Sequence, residues 1–259
     1  MQARTFFVLP RTLAAFAGSV LLLLSCTYLP ESVSLAPGVS LRETRSAIAL
    51  LPDAGLTHAA GFLFYPGALV DPHAYLPWLS DLSSAGIAVI VAKAPGNLAV
   101  LSIDAGLSVT SLVPQASSWV IGGHSLGGAM AAWSAASHPD AWAGLVLLAA
   151  YPATNKSLAG WSRPVLSLSA SNDGLATPQK VADALPLLPP TQYAVTGLGQ
   201  YTPPSSGGYA VVHQIAGGNH AQFGSYGPQD GDSEATISPA AQHTEIVSFI
   251  EEFFQKNGW

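Results

Sequence analysis

Residues 119–128 read Trp119-Val-Ile-Gly-Gly-His-Ser-Leu-Gly-Gly128. An apolar run, 119–122, leads into Gly123-His124-Ser125-Leu126-Gly127, and an alanine-rich stretch of helical composition follows over 129–136. Strand, sharp turn, helix is the context in which a G-x-S-x-G serine can act, because the turn lifts its hydroxyl clear of the sheet. Glycines on either side remove the Cβ atoms that would collide in so tight a turn. The helix then brings its N-terminal N–H groups and the positive end of its dipole beside the serine. A glycine-rich turn without chemistry explains neither the serine nor its place in the strand order. The glycine spacing also fails to match a phosphate-binding G-x-G-x-x-G.

Outward from this segment, short apolar runs recur at 46–51, 60–65, 87–92, 143–150, 165–170 and 211–216. Several are continuous rather than alternating, as in strands buried on both faces. Between them, 72–85, 98–112, 126–137 and 178–185 have helical spacing or composition. The chain closes with an amphipathic helix over 238–256, which sets Ile246, Phe249, Ile250 and Phe253 on one face. This alternation predicts an α/β fold, a mainly parallel central sheet with helices on both faces, in one domain over 44–259. One stretch breaks the rhythm. Residues 197–208 hold five Gly or Pro in their first eleven positions, and read as a surface loop before the last strand, either a plain excursion or a flap over the site.

A serine nucleophile on such a sheet takes its partners in the order Ser, acid, His. Asp173 lies in Ser171-Asn-Asp-Gly174, directly after the apolar run 165–170. A carboxylate there can orient an imidazole and stabilise its charged form; the same residues also suit an ordinary Asp-Gly turn. Asp183 sits inside a helical stretch and Asp140 precedes a strand, so both are worse placed. Of seven histidines, His58, His73, His124 and His138 precede Asp173 and break the order. His213 falls within an apolar strand, and His243 is expected on the surface of the terminal helix. His220, in a Gly-Gly-Asn-His turn after the last strand, is the candidate base. Acyl transfer also needs donors aimed at a developing oxyanion. The backbone N–H of Leu126 supplies one, and the turn after 60–65 the other.

Gly122-Gly-His-Ser-Leu-Gly-Gly-Ala-Met130 resembles the nucleophile elbow of the α/β-hydrolases, and the similarity runs from about residue 44 to the C-terminus. Tyr65-Pro66-Gly67, Leu148-Ala-Ala-Tyr-Pro152 and Gly217-Gly-Asn-His-Ala-Gln-Phe-Gly224 resemble a bacterial, dienelactone-hydrolase-like branch of that superfamily. The resemblance implies an α/β-hydrolase fold and hydrolysis of a small-molecule ester, or of a lactone or thioester, by Ser125, Asp173 and His220. It implies Ala68 as the second oxyanion donor, with Gly67 as the alternative, since Pro66 stands where related enzymes often have His. Dienelactone hydrolases typically carry a cysteine nucleophile; serine at 125 turns the expectation toward carboxylic esters. A different class stays open: a surface-anchored binding protein on the same scaffold with an idle triad.

The composition agrees with a globular enzyme: 49% hydrophobic and 9% charged over 259 residues. A net charge of −6, with nine scattered basic residues, excludes a phosphate-neutralising surface and hence nucleic acid. Asp230-Gly-Asp232-Ser-Glu234 lacks the full spacing of a calcium loop and reads as an acidic surface turn. No His/Cys cluster has zinc spacing, so neither metal nor cofactor is expected. At the N-terminus, Arg4 and Arg11 precede an apolar run, 13–24, which is short of the roughly 20 residues of a spanning helix. Residues 1–25 are expected to be a signal peptide. The segment resembles a bacterial lipoprotein signal, with Cys26 as the lipidated residue, though a plain secretory signal or an uncleaved anchor has the same grammar. Residues 26–43, with Pro30, Ser32, Ser34, Pro37 and Gly38, read as a tether. The protein is thus expected to be exported and held to a membrane by lipid on Cys26. A lone cysteine leaves no partner for an internal disulfide.

Overall fold

The computed structural model describes residues 27–259. Its sheet is built from β1 (Val39–Glu43), β2 (Ala47–Pro52), β3 (Ala60–Tyr65), β4 (Val89–Ala92), β5 (Ser118–His124), β6 (Gly144–Leu148), β7 (Val165–Ala170), β8 (Thr191–Val195) and β9 (Tyr209–Ile215). These stand side by side in the order β1-β2-β4-β3-β5-β6-β7-β9-β8. The β1–β2 and β2–β4 pairs are antiparallel; every other pair is parallel. The continuous apolar runs have the expected cause, since every residue of β3, β4, β6 and β7 is buried.

Among the described residues, five α-helices cover the sheet: α1 (Leu76–Ser84), α2 (Ala105–Val109), α3 (Leu126–Ser137), α4 (Pro178–Ala184) and α5 (Pro239–Lys256). Side chains alternate across β3. Phe62 and Phe64 join Trp78 of α1 and Phe253 and Phe254 of α5 in one core, while Leu63 and Tyr65 join Val109 of α2 and Met130 and Ala131 of α3 in the other. Among the described residues, no helix is long and apolar enough to cross a membrane.

The sheet differs from expectation at its two edges. Residues 39–43, expected to be tether, form β1, and four of its five residues are exposed. Backbone pairing with β2 holds the strand, together with Glu43, which binds Lys93 Nζ at 2.6 Å and His73 Nε2 at 3.2 Å. Composition registers burial and not such pairing. The chain before β1 also lies on the body. Tyr28 bridges Val70, Glu31 N–H donates to Ser225 O at 2.7 Å, and Ala36 N–H to Ser80 Oγ at 2.8 Å. The tether assignment over 26–43 is therefore corrected for the described part; Cys26 and the signal segment fall outside the described residues. At the opposite edge, β8 went unforeseen because three of its five residues are exposed. The helix expected over 98–112 is broken at Ser102 (φ −152°) into a 3-10 turn, Ala99–Leu101, then α2, then a second 3-10 turn.

The loop between β8 and β9 is an excursion rather than a flap. Gly199 N–H donates to Glu252 Oε1 at 2.8 Å, and Lys256 binds the Tyr201 carbonyl while lying 4.0 Å over its ring. These contacts pin it to the C-terminal end of α5, whereas the His220 segment meets the N-terminal turn of the same helix through Gln242.

Candidate active site

Strand order reverses between β4-β3 and β3-β5, and in open parallel sheets such a switch point opens a crevice at the carboxyl ends of the strands. Ser125 stands there, at the end of β5, with φ 53° and ψ −123°. This backbone is unfavourable for any residue with a Cβ and is held by its surroundings: Ser125 N–H donates to Leu148 O, and Ser125 O accepts from Ala129 N–H, both at 3.0 Å. The flanking glycines are required by contact. A Cβ on Gly123 would lie 2.6 Å from Tyr65 O, and one on Gly127 2.2 Å from Tyr65 O and 2.3 Å from Pro66 O.

Asp173 follows β7 and is 3% exposed; His220 follows β9 and is 1% exposed. Asp173 Oδ1 accepts the N–H groups of Leu175 at 2.8 Å and Ala176 at 2.7 Å, which leaves Oδ2 for His220 Nδ1 at 2.8 Å. With a carboxylate as its partner, Nδ1 carries the proton and Nε2 presents a lone pair. Nε2 is buried and has no partner among the described residues. The His220 ring lies 4.4 Å, centroid to centroid, from that of His124, the residue before Ser125. The acid and the base are thus joined beside the elbow, while the hydrogen bond from Ser125 Oγ to His220 Nε2 is open. Such contacts often close only around substrate.

The turn after β3 faces the elbow. Gly67 N–H donates to Tyr75 Oη at 2.9 Å, and Tyr75 Oη is hydrogen-bonded in turn to His124 Nδ1 at 2.9 Å. Leu69 N–H is taken by Asn97 O at 2.9 Å and Val70 N–H by Gly67 O at 3.2 Å. Neither Ala68 N–H nor Leu126 N–H has an acceptor among the described residues. Gly67, weighed as an alternative to Ala68, is thereby excluded as a free donor. Burial pushes the Tyr75 phenol far above its ordinary range and keeps it neutral. Burial, followed by the nearby His220, holds His124 well below the usual histidine value, which keeps its ring neutral.

Sequence reading does not bring Tyr75 or His124 to the site. The motif shows His124 only as the variable position before the serine, and Tyr75 lies in an apolar stretch that reads as core. The other titratable candidates fall elsewhere. His213 is occupied by Glu245 Oε1 at 2.5 Å and Val195 O at 3.0 Å, and Asp183 is engaged by Gln179 on the exposed side of α4. His243 is half-buried rather than on the surface. It lines a cavity of about 640 Å3 behind the His220 segment, with Glu31, Asn219, Gln222 and Asp232. Ser125 does not line this cavity, which is separate from the elbow.

Comparison with known proteins agrees with this architecture. No curated protein sequence is significantly similar to the chain. Similar solved structures include the thermophilic carboxylesterase EstE1, cloned from a metagenomic library, at 13% identity and TM-score 0.59, covering 95% of this chain and 98% of that one. MGS-MChE2, an alpha/beta hydrolase enzyme from the metagenome of lagoon sediments at Mar Chica, Morocco, has 14% identity and TM-score 0.56, covering 85% and 100%. Est1E from Butyrivibrio proteoclasticus has 12% identity and TM-score 0.56, covering 83% and 99%. At such identities these likenesses concern the fold alone. The model of the alpha/beta hydrolase family matches residues 61–201 and 207–244, and the chain belongs to that family.

Proposed function

We propose that the protein hydrolyses small carboxylic esters through an acyl-enzyme on Ser125. His220 Nε2 takes the Ser125 proton as Oγ attacks the carbonyl, and Asp173 holds the ring and stabilises the imidazolium. The N–H groups of Leu126 and Ala68 receive the oxyanion. The imidazolium then protonates the leaving alcohol, and water, activated by the same imidazole, releases the acid. The observation that carries this reading is the buried Asp173–His220 pair, with its free Nε2 beside a serine held at φ 53°. Burial of this kind is costly for a structural pair and useful for a base.

Lactones and thioesters would pass through the same steps, and the dienelactone-hydrolase-like motifs keep them on the substrate panel. The connection from β6 to β7 holds only one 3-10 turn, Thr154–Lys156, so no bulky cap is built there, and short acyl chains are favoured. We further propose that the protein is exported and anchored by lipid on Cys26, which radiolabelled fatty acid would reveal on the wild type and not on Cys26→Ser.

The test of the activity is a fluorophosphonate probe with a panel of short-chain esters, lactones and thioesters. Wild type should be labelled and turn over esters, and Ser125→Ala should lose labelling and at least about 10³-fold in kcat. Labelling that survives Ser125→Ala would remove the assignment. A folded wild type that neither labels nor turns over would leave a binding protein on this scaffold.

A further inference from the structure

The segment 229–236 spans the two turns that carry Asp173 and His220. On the Asp173 side, Asn172 Nδ2 donates to Glu234 O at 3.0 Å. On the His220 side, Asn219 Nδ2 donates to Ser233 O at 2.7 Å, and Thr236 N–H to Gly217 O at 2.7 Å. Between these lies Asp232, half-buried, whose carboxylate reaches both turns at once. Oδ1 accepts Gly174 N–H at 2.9 Å, and Oδ2 accepts Ala221 N–H at 2.8 Å. Gly174 is the residue after Asp173, and Ala221 the residue after His220. The seat is tight: a Cβ on Gly174 would lie 2.5 Å from Gly231 O and 3.0 Å from Asp232 Cα.

We propose that Asp232 is a positioning residue that sets the Asp173–His220 geometry. This rests on the triad reading above. The physical reason is that a carboxylate has two acceptor oxygens at fixed separation, so bonding one N–H from each turn fixes the distance between the turns. The clasp acts on the residue next to each functional side chain, where small backbone shifts move the ring and the carboxyl group directly. It also accounts for Asp232 within the acidic run 230–234: its partners are backbone N–H groups, with Ser233 N–H as the third at 2.9 Å.

The turns have other ties that do not involve Asp232: Asn172 N–H to Gly218 O at 2.9 Å and Gly217 N–H to Ser171 Oγ at 2.8 Å. These keep the turns folded when the clasp is opened, so Asp232 can be tested without dismantling the site. Asp232→Asn retains one acceptor oxygen and can hold one turn; Asp232→Ala holds neither.

The test uses the full-length protein in detergent, with active sites counted by fluorophosphonate titration. For misplacement of the base by a fraction of an ångström, kcat per titrated site should fall about 10-fold in Asp232→Asn and about 100-fold in Asp232→Ala, with KM for a short ester changed less than about threefold. The rate of fluorophosphonate inactivation should fall in parallel. A second readout needs no activity: in protein carrying 15N-histidine, the low-field signal of the His220 Nδ1 proton should broaden or shift in both variants. Unchanged kcat per site, or a rise in KM alone, overturns the proposal even if the melting temperature drops. If Asp232→Ala fails to fold, Asp232→Asn decides. Should wild type show no turnover, the functional reading fails separately, and an Nδ1 signal identical in wild type and Asp232→Asn overturns the role of Asp232.

Discussion

Ser125 keeps a strained backbone because Leu148 O holds its N–H and the Tyr65 and Pro66 carbonyls close on the flanking glycines. Gly127→Ala would push a methyl group to 2.2 Å from Tyr65 O and 2.3 Å from Pro66 O. Backbone cannot step aside as a side chain can, so we expect a loss of about 1–3 kcal/mol, read by urea unfolding, and a loss of turnover as the turn carrying Ala68 is displaced. Tyr75 tests the facing turn. Tyr75→Phe leaves Gly67 N–H and His124 Nδ1 buried without partners. It should cost about 1–3 kcal/mol of stability, and kcat should fall more than KM rises, because the proposed oxyanion role of Ala68 on that turn is exerted in the transition state. Equal stability and unchanged kcat would show the relay to be idle. At this scale a local motif and a fixed chain order single out Ser125, Asp173 and His220, and the structure joins the latter two beside the elbow. Tyr75, His124 and Asp232 were illegible: each is defined by a partner far along the chain, and nothing in its own neighbourhood names that partner.

Among the elements, the inner strands announced themselves by continuous apolar runs, and the edge strands did not. β1 shows why. Its residues face solvent, and its hold on the body is backbone pairing plus the cluster of Glu43, Lys93, His73 and Asp71. Burial pulls the His73 pKa down, but hydrogen bonds to Asp71 and Glu43 outweigh it, and the net shift is upward from 6.5. Glu43 is held below its ordinary value chiefly by Lys93. A raised histidine contributes stability that is fully present below its unfolded value and lost as pH rises through its folded value. The lowered carboxylate acts in the opposite sense, losing its contribution only as pH falls into the acid range. We therefore expect Val39–Glu43 amides, corrected for intrinsic exchange, to lose about twofold in hydrogen-exchange protection between about pH 6 and pH 8, a modest effect because the cluster is partly solvated. His73→Asn should remove that pH dependence while leaving the Lys93–Glu43 pair in place. Protection that stays flat in wild type would mean that backbone pairing alone secures the strand.

For the molecule as a whole, the contacts of Tyr28 connect the catalytic face to whatever precedes it in the chain. Tyr28 N–H donates to Leu69 O at 2.8 Å and Tyr28 O accepts from Asp71 N–H at 2.9 Å, one to three residues beyond Ala68. Two residues of chain reach at most about 7 Å, so a lipid on Cys26 would hold the elbow close to the bilayer surface. Charge opposes that approach, because without residues 1–25, and so without Arg4 and Arg11, acidic residues outnumber basic ones fifteen to seven, and anionic lipid repels such a body. Orientation would then depend on the Tyr28 link rather than on electrostatics. Three forms of the protein separate these effects: wild type, Cys26→Ser, and wild type with a Gly/Ser spacer of about ten residues inserted after Cys26, long enough to uncouple anchor from body. On a water-soluble short ester all three should agree within about twofold, since the site itself is untouched. On an ester partitioned into vesicles, wild type should exceed Cys26→Ser by about tenfold or more through effective concentration. The spacer form should keep the membrane attachment and yet lose much of that gain, because its elbow no longer faces the lipid. A spacer form as fast as wild type would mean that attachment alone, and not the seat of Tyr28 on the turn of Leu69 and Asp71, delivers the substrate.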